Sequence, residues 1–359
     1  MLRILLAPEY KGRPEVHINK EVLKAAKERM VTDSDFDYTI YKCSEEPLEL
    51  KKVGVCYNYD EAVQNQNKQF GEFLKDYEDG DDILFLEAFN PAIISLWLMD
   101  KKPRKVGALF HSSVEIEADY LHDIRGMLNF QRGVLDAIDF IFCATDHLKN
   151  ELIGKNPLGS TANIYKIGLP FNPDEGVYVG GRETVKENVV VFNHRWEFDK
   201  NPDIFIDFAV KSLDRELKTK FRLLTPTQNV ADRAVKDYEH ALSELNSHYA
   251  EDKESNFEVV VCDSKEKYFN ELAKAKFQFA CADLETFGYS VIEGVAMGAI
   301  PILNKMPCYE EIYPEKCLFD LKDKHYPFHL LEEDYKLDSN LVNRVRWYKR
   351  SGNRLISMF

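Results

Sequence analysis

The strongest constraint in this chain is an alternation that runs twice. Short apolar runs, rich in β-branched and aromatic residues, are separated by helix-length amphipathic stretches on both sides of one Pro- and Gly-rich break. Before the break, 2–7, 38–41, 52–57, 83–88, 106–110, 140–144 and 164–167 read as strands, and 19–29, 61–77, 92–99 and 120–135 as helices. The strands are apolar throughout rather than on alternate residues, which predicts parallel strands covered on both faces, a doubly wound α/β sheet. The break begins at Gly168-Leu-Pro-Phe-Asn-Pro and continues to Gly180-Gly181, and it reads as a linker. After it, strands at 188–192, 221–225, 257–262, 277–282 and 300–303 alternate with helices at 202–212, 230–246, 266–275 and 289–297. The expected division is a first domain over 1–170, a linker over 171–187 and a second domain over 188–339. A C-terminal helix at about 340–359 is expected to cross back to the first domain. A length of 359 residues suits two domains.

Bulk properties narrow the class. Uninterrupted apolar runs never reach membrane-spanning length, and the apolar run at 2–7 is too short for a signal peptide, so no membrane span is expected. Seven scattered cysteines form no CxxC pair. They point to reduced thiols in a cytoplasmic protein rather than to disulfides or a zinc site. A formal net charge of −14 excludes a general nucleic-acid coat while leaving local basic patches open.

Open α/β sheets bind ligands at the carboxyl ends of their strands, so residues directly after strands carry most weight. In Asp283-Leu-Glu-Thr-Phe-Gly-Tyr-Ser-Val-Ile-Glu293, Glu285 falls in a strand-to-helix loop and Glu293 about one turn into a buried helix. Backbone N–H groups near Gly288 and Tyr289 are expected to point at whatever the loop faces. A solvated acid pair at a helix start accounts for Glu285, but poorly for Glu293 among Val291, Ile292, Val295 and Ala296. Arg195 and Lys200 lie five residues apart after the strand at 188–192, with Asn201 as the expected cap of a helix starting at Pro202. Arg offers a planar fork and Lys a point charge, suited to a diphosphate; plain pairing with Glu197 and Asp199 is the alternative. His111 follows the strand at 106–110 and is expected to face the cleft, or else to be a satisfied structural histidine. Glu115, Glu117, Asp119 and His122 lack metal-ligand spacing, and no metal site is expected.

On these residues the chain resembles GT-B glycosyltransferases, most of all the retaining family-4-type group. Glu285 and Glu293 match that group's E-x7-E pattern, Arg195 and Lys200 its cationic pair, and His111 its cleft histidine. The stretch from Asn193 to Pro202 is similar to that of tRNA-queuosine mannosyltransferases. The resemblance implies two Rossmann-like domains facing a central cleft. It also implies sugar transfer, with retention, from a UDP- or GDP-type nucleotide-sugar without an obligatory metal or other cofactor. Under it, Arg195 and Lys200 hold the diphosphate, Glu285 and His111 contact the donor sugar, and Glu293 binds ribose. Asn193, Tyr289 and the amides around Phe287 and Gly288 complete the donor site. Many members carry a Gly-Gly loop after the first strand; here 8–14 holds only Gly12, so no acceptor residues are carried over.

The acceptor is the least specified part. Basic segments at 101–105 and 344–354, the latter interleaved with Trp347 and Tyr348, suit a nucleic-acid backbone and a stacked base. A modified nucleic-acid base, in tRNA or as a hydroxymethylated base of bacteriophage DNA, is favoured over a glycan or small molecule. Solvated turns and helix faces remain the plainer reading of each patch. A GT-B protein that binds a nucleotide-sugar without catalysis is the other alternative.

Overall fold

A computed structural model describes residues 1–10, 15–46, 48, 59–114, 122, 124–154, 163–172, 184–215, 217–245, 256–321, 326–332 and 337–359. The expected strand at 52–57, Gly12, Glu115, Glu117, Asp119 and most of the expected linker lie outside these residues.

Two compact units are present, one comprising 1–171 with 348–359 and the other 172–347. In the first unit, β1 (Leu2–Leu5), β2 (Tyr38–Tyr41), β3 (Asp82–Phe85), β4 (Lys105–Phe110), β5 (Phe140–Cys143) and β6 (Ile164–Lys166) form a sheet in the order β2-β1-β3-β4-β5-β6. In the second, β7 (Glu187–Phe192), β8 (Lys220–Thr225), β9 (Phe257–Val261), β10 (Ala275–Ala280), β11 (Ile300–Asn304) and β12 (Leu318–Phe319) run in the order β12-β11-β10-β7-β8-β9. Every pairing among these twelve strands is parallel.

The wholly apolar strands have the reason expected of them. On β7, Val190 and Phe192 enter one core while Val189 and Val191 enter another on the opposite face. The first of these cores is aromatic. Phe205, Phe208, Phe221, Phe277 and Phe279 are all fully buried there, so rings rather than aliphatic chains fill the gap between sheet and helices. In the first unit, Tyr41, Phe73, Tyr77, Phe85 and Phe110 play the equivalent part.

Three expected helices change shape, the one at 92–99 being a short α turn, Ala92–Ser95, followed by a 3-10 turn over Leu96–Leu98. The stretch at 120–135 begins later, as Met127–Ala137, because Gly126 at φ 90° turns the chain just before it. The C-terminal stretch is not one helix. Ser339–Trp347 belongs to the second unit, a 3-10 turn covers Tyr348–Arg350, and Ser351–Ile356 packs on the helix Glu15–Thr32 of the first unit. Gly352 permits that packing, since a Cβ there would sit 3.0 Å from the Glu21 carbonyl oxygen. Among the described residues, no helix is long and apolar enough to cross a membrane.

Candidate nucleotide-sugar site

In the second sheet the chain runs from β7 outward through β8 and β9, then returns to place β10 on the other side of β7. The β7/β10 junction is therefore the topological switch point, the place where open α/β sheets bind ligands. Those loops are 193–201 and 281–288, and they carry most of the residues singled out from sequence.

The loops are laced together. Asp283 donates its backbone N–H to the Asp199 carbonyl at 2.9 Å. Lys200 Nζ donates to the Leu284 carbonyl at 2.9 Å and lies 3.4 Å from Asp199 Oδ2 and 3.6 Å from Glu285 Oε2. Asn201 stands at the N-terminus of the helix Pro202–Asp214, but its side chain does not cap that helix. It is the one described non-glycine residue at positive φ, 49°, and its Nδ2 donates to the Cys281 carbonyl and to Asp283 Oδ1. The expected cap is thus a latch between loops, and the left-handed backbone turns its amide toward β10.

This places Lys200 and Glu285 together, with Arg195 alongside through Asp199 Oδ2 at 3.1 Å. Lys200 is 12% exposed and Glu285 20%, whereas Arg195 is 42% exposed. The pair is held in the fold while Arg195 stands at the rim. Burial would raise the Glu285 carboxyl, but Lys200, His194 and the backbone N–H groups of Gly288 and Thr286 outweigh it and hold the pKa below the ordinary range. An anionic Glu285 beside a cationic Lys200 can hydrogen-bond a hydroxyl on one side and neutralise a phosphate on the other.

Gly288 adopts φ 78°, ψ 58° immediately before the helix Tyr289–Ala296. A Cβ there would meet the Tyr309 ring at 2.9 Å, so only glycine serves both conformation and contact. Phe287 is buried at 1% exposure and packs edge-on against Tyr289 at 5.2 Å, anchoring the loop from beneath. Glu293 is half-buried and accepts a hydrogen bond from the Tyr268 hydroxyl at 2.6 Å. Asn193 lies under the loop, where its Nδ2 donates to Tyr268 at 2.8 Å and to the Ser290 carbonyl at 3.0 Å.

His111 is in the first unit, directly after β4, with Nε2 2.9 Å from the Leu86 carbonyl. Glu87, two positions past the end of β3, has its carboxyl pushed up by burial, with His111 opposing the shift.

Sequence reasoning missed His194, Tyr268, Gln278 and Tyr309. His194 is 9% exposed with Ser290 Oγ at 3.0 Å from Nε2; burial, reinforced by Lys200, lowers it from 6.5 to about 4, leaving a neutral imidazole. Tyr268 lies on the helix Lys265–Lys274 and Tyr309 on Pro307–Ile312, segments whose pattern signals only packing. Among the described residues, no group of three or more His, Cys, Asp or Glu could hold a metal ion.

The basic segment at 101–105 leads into β4, of which Lys105 is the first residue, and so sits at the amino ends of the strands, the opposite edge from His111. Its cations are also engaged. Lys101 binds the Tyr77 carbonyl, Lys102 the Met99 carbonyl, Arg104 the Asp82 carboxylate and Lys105 the Met358 carbonyl. In the other segment, Arg344 donates to the Ile312 carbonyl and Arg354 to the Ile167 carbonyl. Trp347, Lys349 and Arg350 are exposed there.

No family model matches the sequence. Over 131 residues, 36% of this chain, it is 28% identical to the tRNA-queuosine alpha-mannosyltransferase of Drosophila melanogaster; the match spans 32% of that protein, about a third of its length. Among solved structures, apo OtsA aligns at a TM-score of 0.66 and 12% identity, covering 99% of this chain and 96% of that one. The UDP-forming alpha,alpha-trehalose-phosphate synthase of Burkholderia vietnamiensis aligns at 0.65 and 12%, covering 99% and 97%. A trehalose-6-phosphate structure from E. coli bound with UDP-2-fluoro glucose aligns at 0.65 and 11%, covering 99% and 95%. The fold is GT-B; the relative is a mannosyltransferase, and the structural neighbours include trehalose-phosphate synthases.

Proposed function

We propose that the chain is a retaining glycosyltransferase that moves a sugar from a nucleotide-diphosphate sugar to a hydroxyl on a modified nucleic-acid base. The observation that carries the transferase reading is the Lys200–Glu285 pair at the β7/β10 switch point, with Arg195 at its rim. As the bond between sugar and diphosphate breaks, negative charge grows on the leaving diphosphate. Lys200 and Arg195 stabilise that charge from fixed positions, which lowers the barrier more than mobile cations would. Glu285 accepts hydrogen bonds from donor-sugar hydroxyls, and Glu293 from the ribose diol. Asn193, Phe287, Gly288 and Tyr289 shape the wall between them. In this reading the two cations replace a divalent ion, so a chelator leaves turnover unchanged. Reduced thiols fit a cytoplasmic enzyme; the described cysteines are all buried.

The acceptor class rests on the likeness to a tRNA-queuosine mannosyltransferase over 131 residues. A glycan or small-molecule acceptor is the second reading, favoured by the intramolecular engagement of the cations at 101–105. The test incubates the protein with UDP-, GDP- and ADP-sugars, with and without tRNA or hydroxymethylated DNA. Nucleotide release and the mass of the nucleic acid are then followed. The expected result is release with one donor and a hexose or pentose added to the nucleic acid. Joint replacement of Arg195 and Lys200 by alanine removes about 2.7–4 kcal/mol of transition-state stabilisation, roughly a hundredfold to a thousandfold in turnover. No release with any donor, or near-normal turnover in the double variant, sinks the reading.

A further inference from the structure

Glu293 is held by a chain of hydrogen bonds that runs one way through four separate segments. Gln278 on β10 donates from Nε2 to Asn193 Oδ1 at 2.7 Å. Asn193, after β7, donates from Nδ2 to the Tyr268 hydroxyl at 2.8 Å. Tyr268, on the helix after β9, donates to Glu293 Oε2 at 2.6 Å. Each member accepts from the one before and donates to the next, so each bond polarises its successor toward the carboxylate.

The start of the chain is locked by packing. Gln278 is fully buried, and its Nε2 also donates to the Ser290 carbonyl at 2.6 Å, the same oxygen that Asn193 engages. Gly294 lies over it, and a Cβ at that position would stand 1.9 Å from Gln278 Oε1. Burial and the neighbouring Glu293 push the Tyr268 phenol well above its ordinary range, so the hydroxyl stays protonated and remains a donor.

We propose that Tyr268 is a positioning residue that fixes the Glu293 carboxylate for a ribose cis-diol, through the relay from Gln278 and Asn193. The proposal rests on the nucleotide-sugar reading above. An unheld glutamate side chain loses rotamer freedom on binding, and a carboxylate already oriented avoids that loss. Asn193 acts through Tyr268 here, with both amide protons committed within the protein.

The test is calorimetry of the full chain with UDP, GDP and ADP and with the 2′,3′-dideoxy form of each. Wild type is expected to bind one ribonucleotide clearly better than its dideoxy form. Tyr268→Phe keeps the ring and removes only the hydroxyl. It is expected to weaken the ribonucleotide about tenfold and leave the dideoxy form unchanged, with a cooperative thermal melt showing that the variant is folded. Equal weakening of both forms, or of neither, overturns the positioning role while leaving the nucleotide reading intact. A wild type that binds no nucleotide, or does not distinguish the two forms, overturns the ribose reading and the relay with it.

Discussion

The residue that best shows how this site manages charge is His194. It carries a neutral ring between a cation and a carboxylate, next to Ser290. Its pKa is lowered from 6.5 to about 4, so the unfolded chain binds the proton more tightly than the folded one. The stabilising contribution is full above the unfolded value and is lost as pH falls from about 6.5 towards 4. Glu285, also depressed, acts in the same direction at still lower pH. His194→Gln is therefore expected to flatten the fall in melting temperature between pH 6.5 and 4, read from thermal melts across that range. An unchanged pH profile refutes burial of a neutral imidazole. None of this was legible in the sequence, where His194 is only a polar residue beside Arg195. Burial is set by segments up to 96 positions away, such as Ser290.

At the scale of elements, helix Tyr289–Ala296 and strand β10 are joined at Gly294 and Gln278 rather than by apolar packing alone. Glycine inside a helix ordinarily destabilises it by about 1 kcal/mol relative to alanine. Here the sign reverses, because a methyl group would collide with Gln278 Oε1. Gly294→Ala is expected to lower stability by about 1–3 kcal/mol in denaturant titrations and to weaken nucleotide binding as well. A neutral or stabilised variant contradicts the close approach. The same two elements explain why the Glu285–Glu293 spacing could be read directly. A loop residue and a residue one turn into a helix are local relations, and the apolar run after Gly288 marks the helix without outside help. By contrast, Asn201 was expected to cap the next helix and instead latches the neighbouring loop. Capping is a local choice that a tertiary partner displaced.

Across the whole molecule, the two basic segments are not equivalent. The tail passes the carboxyl edge of the first sheet, where Ser351 Oγ donates to the Ile167 carbonyl just beyond β6 at 2.6 Å. Gly168, at φ 71°, lets Tyr348 lie against the chain there. Lys349 and Arg350 are exposed on that turn, whereas 101–105 lies at the amino edge. If nucleic acid is the acceptor, Lys349→Glu with Arg350→Glu should weaken tRNA binding about tenfold and reduce the salt slope by about one per charge. Charge reversal at Lys101 and Lys102 should leave both unchanged. Equal effects from the two pairs, or none from either, exclude the tail as the contact in a filter-binding or fluorescence titration over a salt series. By itself the sequence determined the repeated α/β class, the buried central strands and the acid and base motifs after them. All of these follow from the period of apolar residues and from local turn chemistry. Only the tertiary structure decided the strand order that puts β7 beside β10, and with it the pairing of Lys200 with Glu285 and of Tyr268 with Glu293. Strand order and buried hydrogen bonds depend on contacts between segments far apart in the chain, and a pattern of period two or 3.6 holds no information about them.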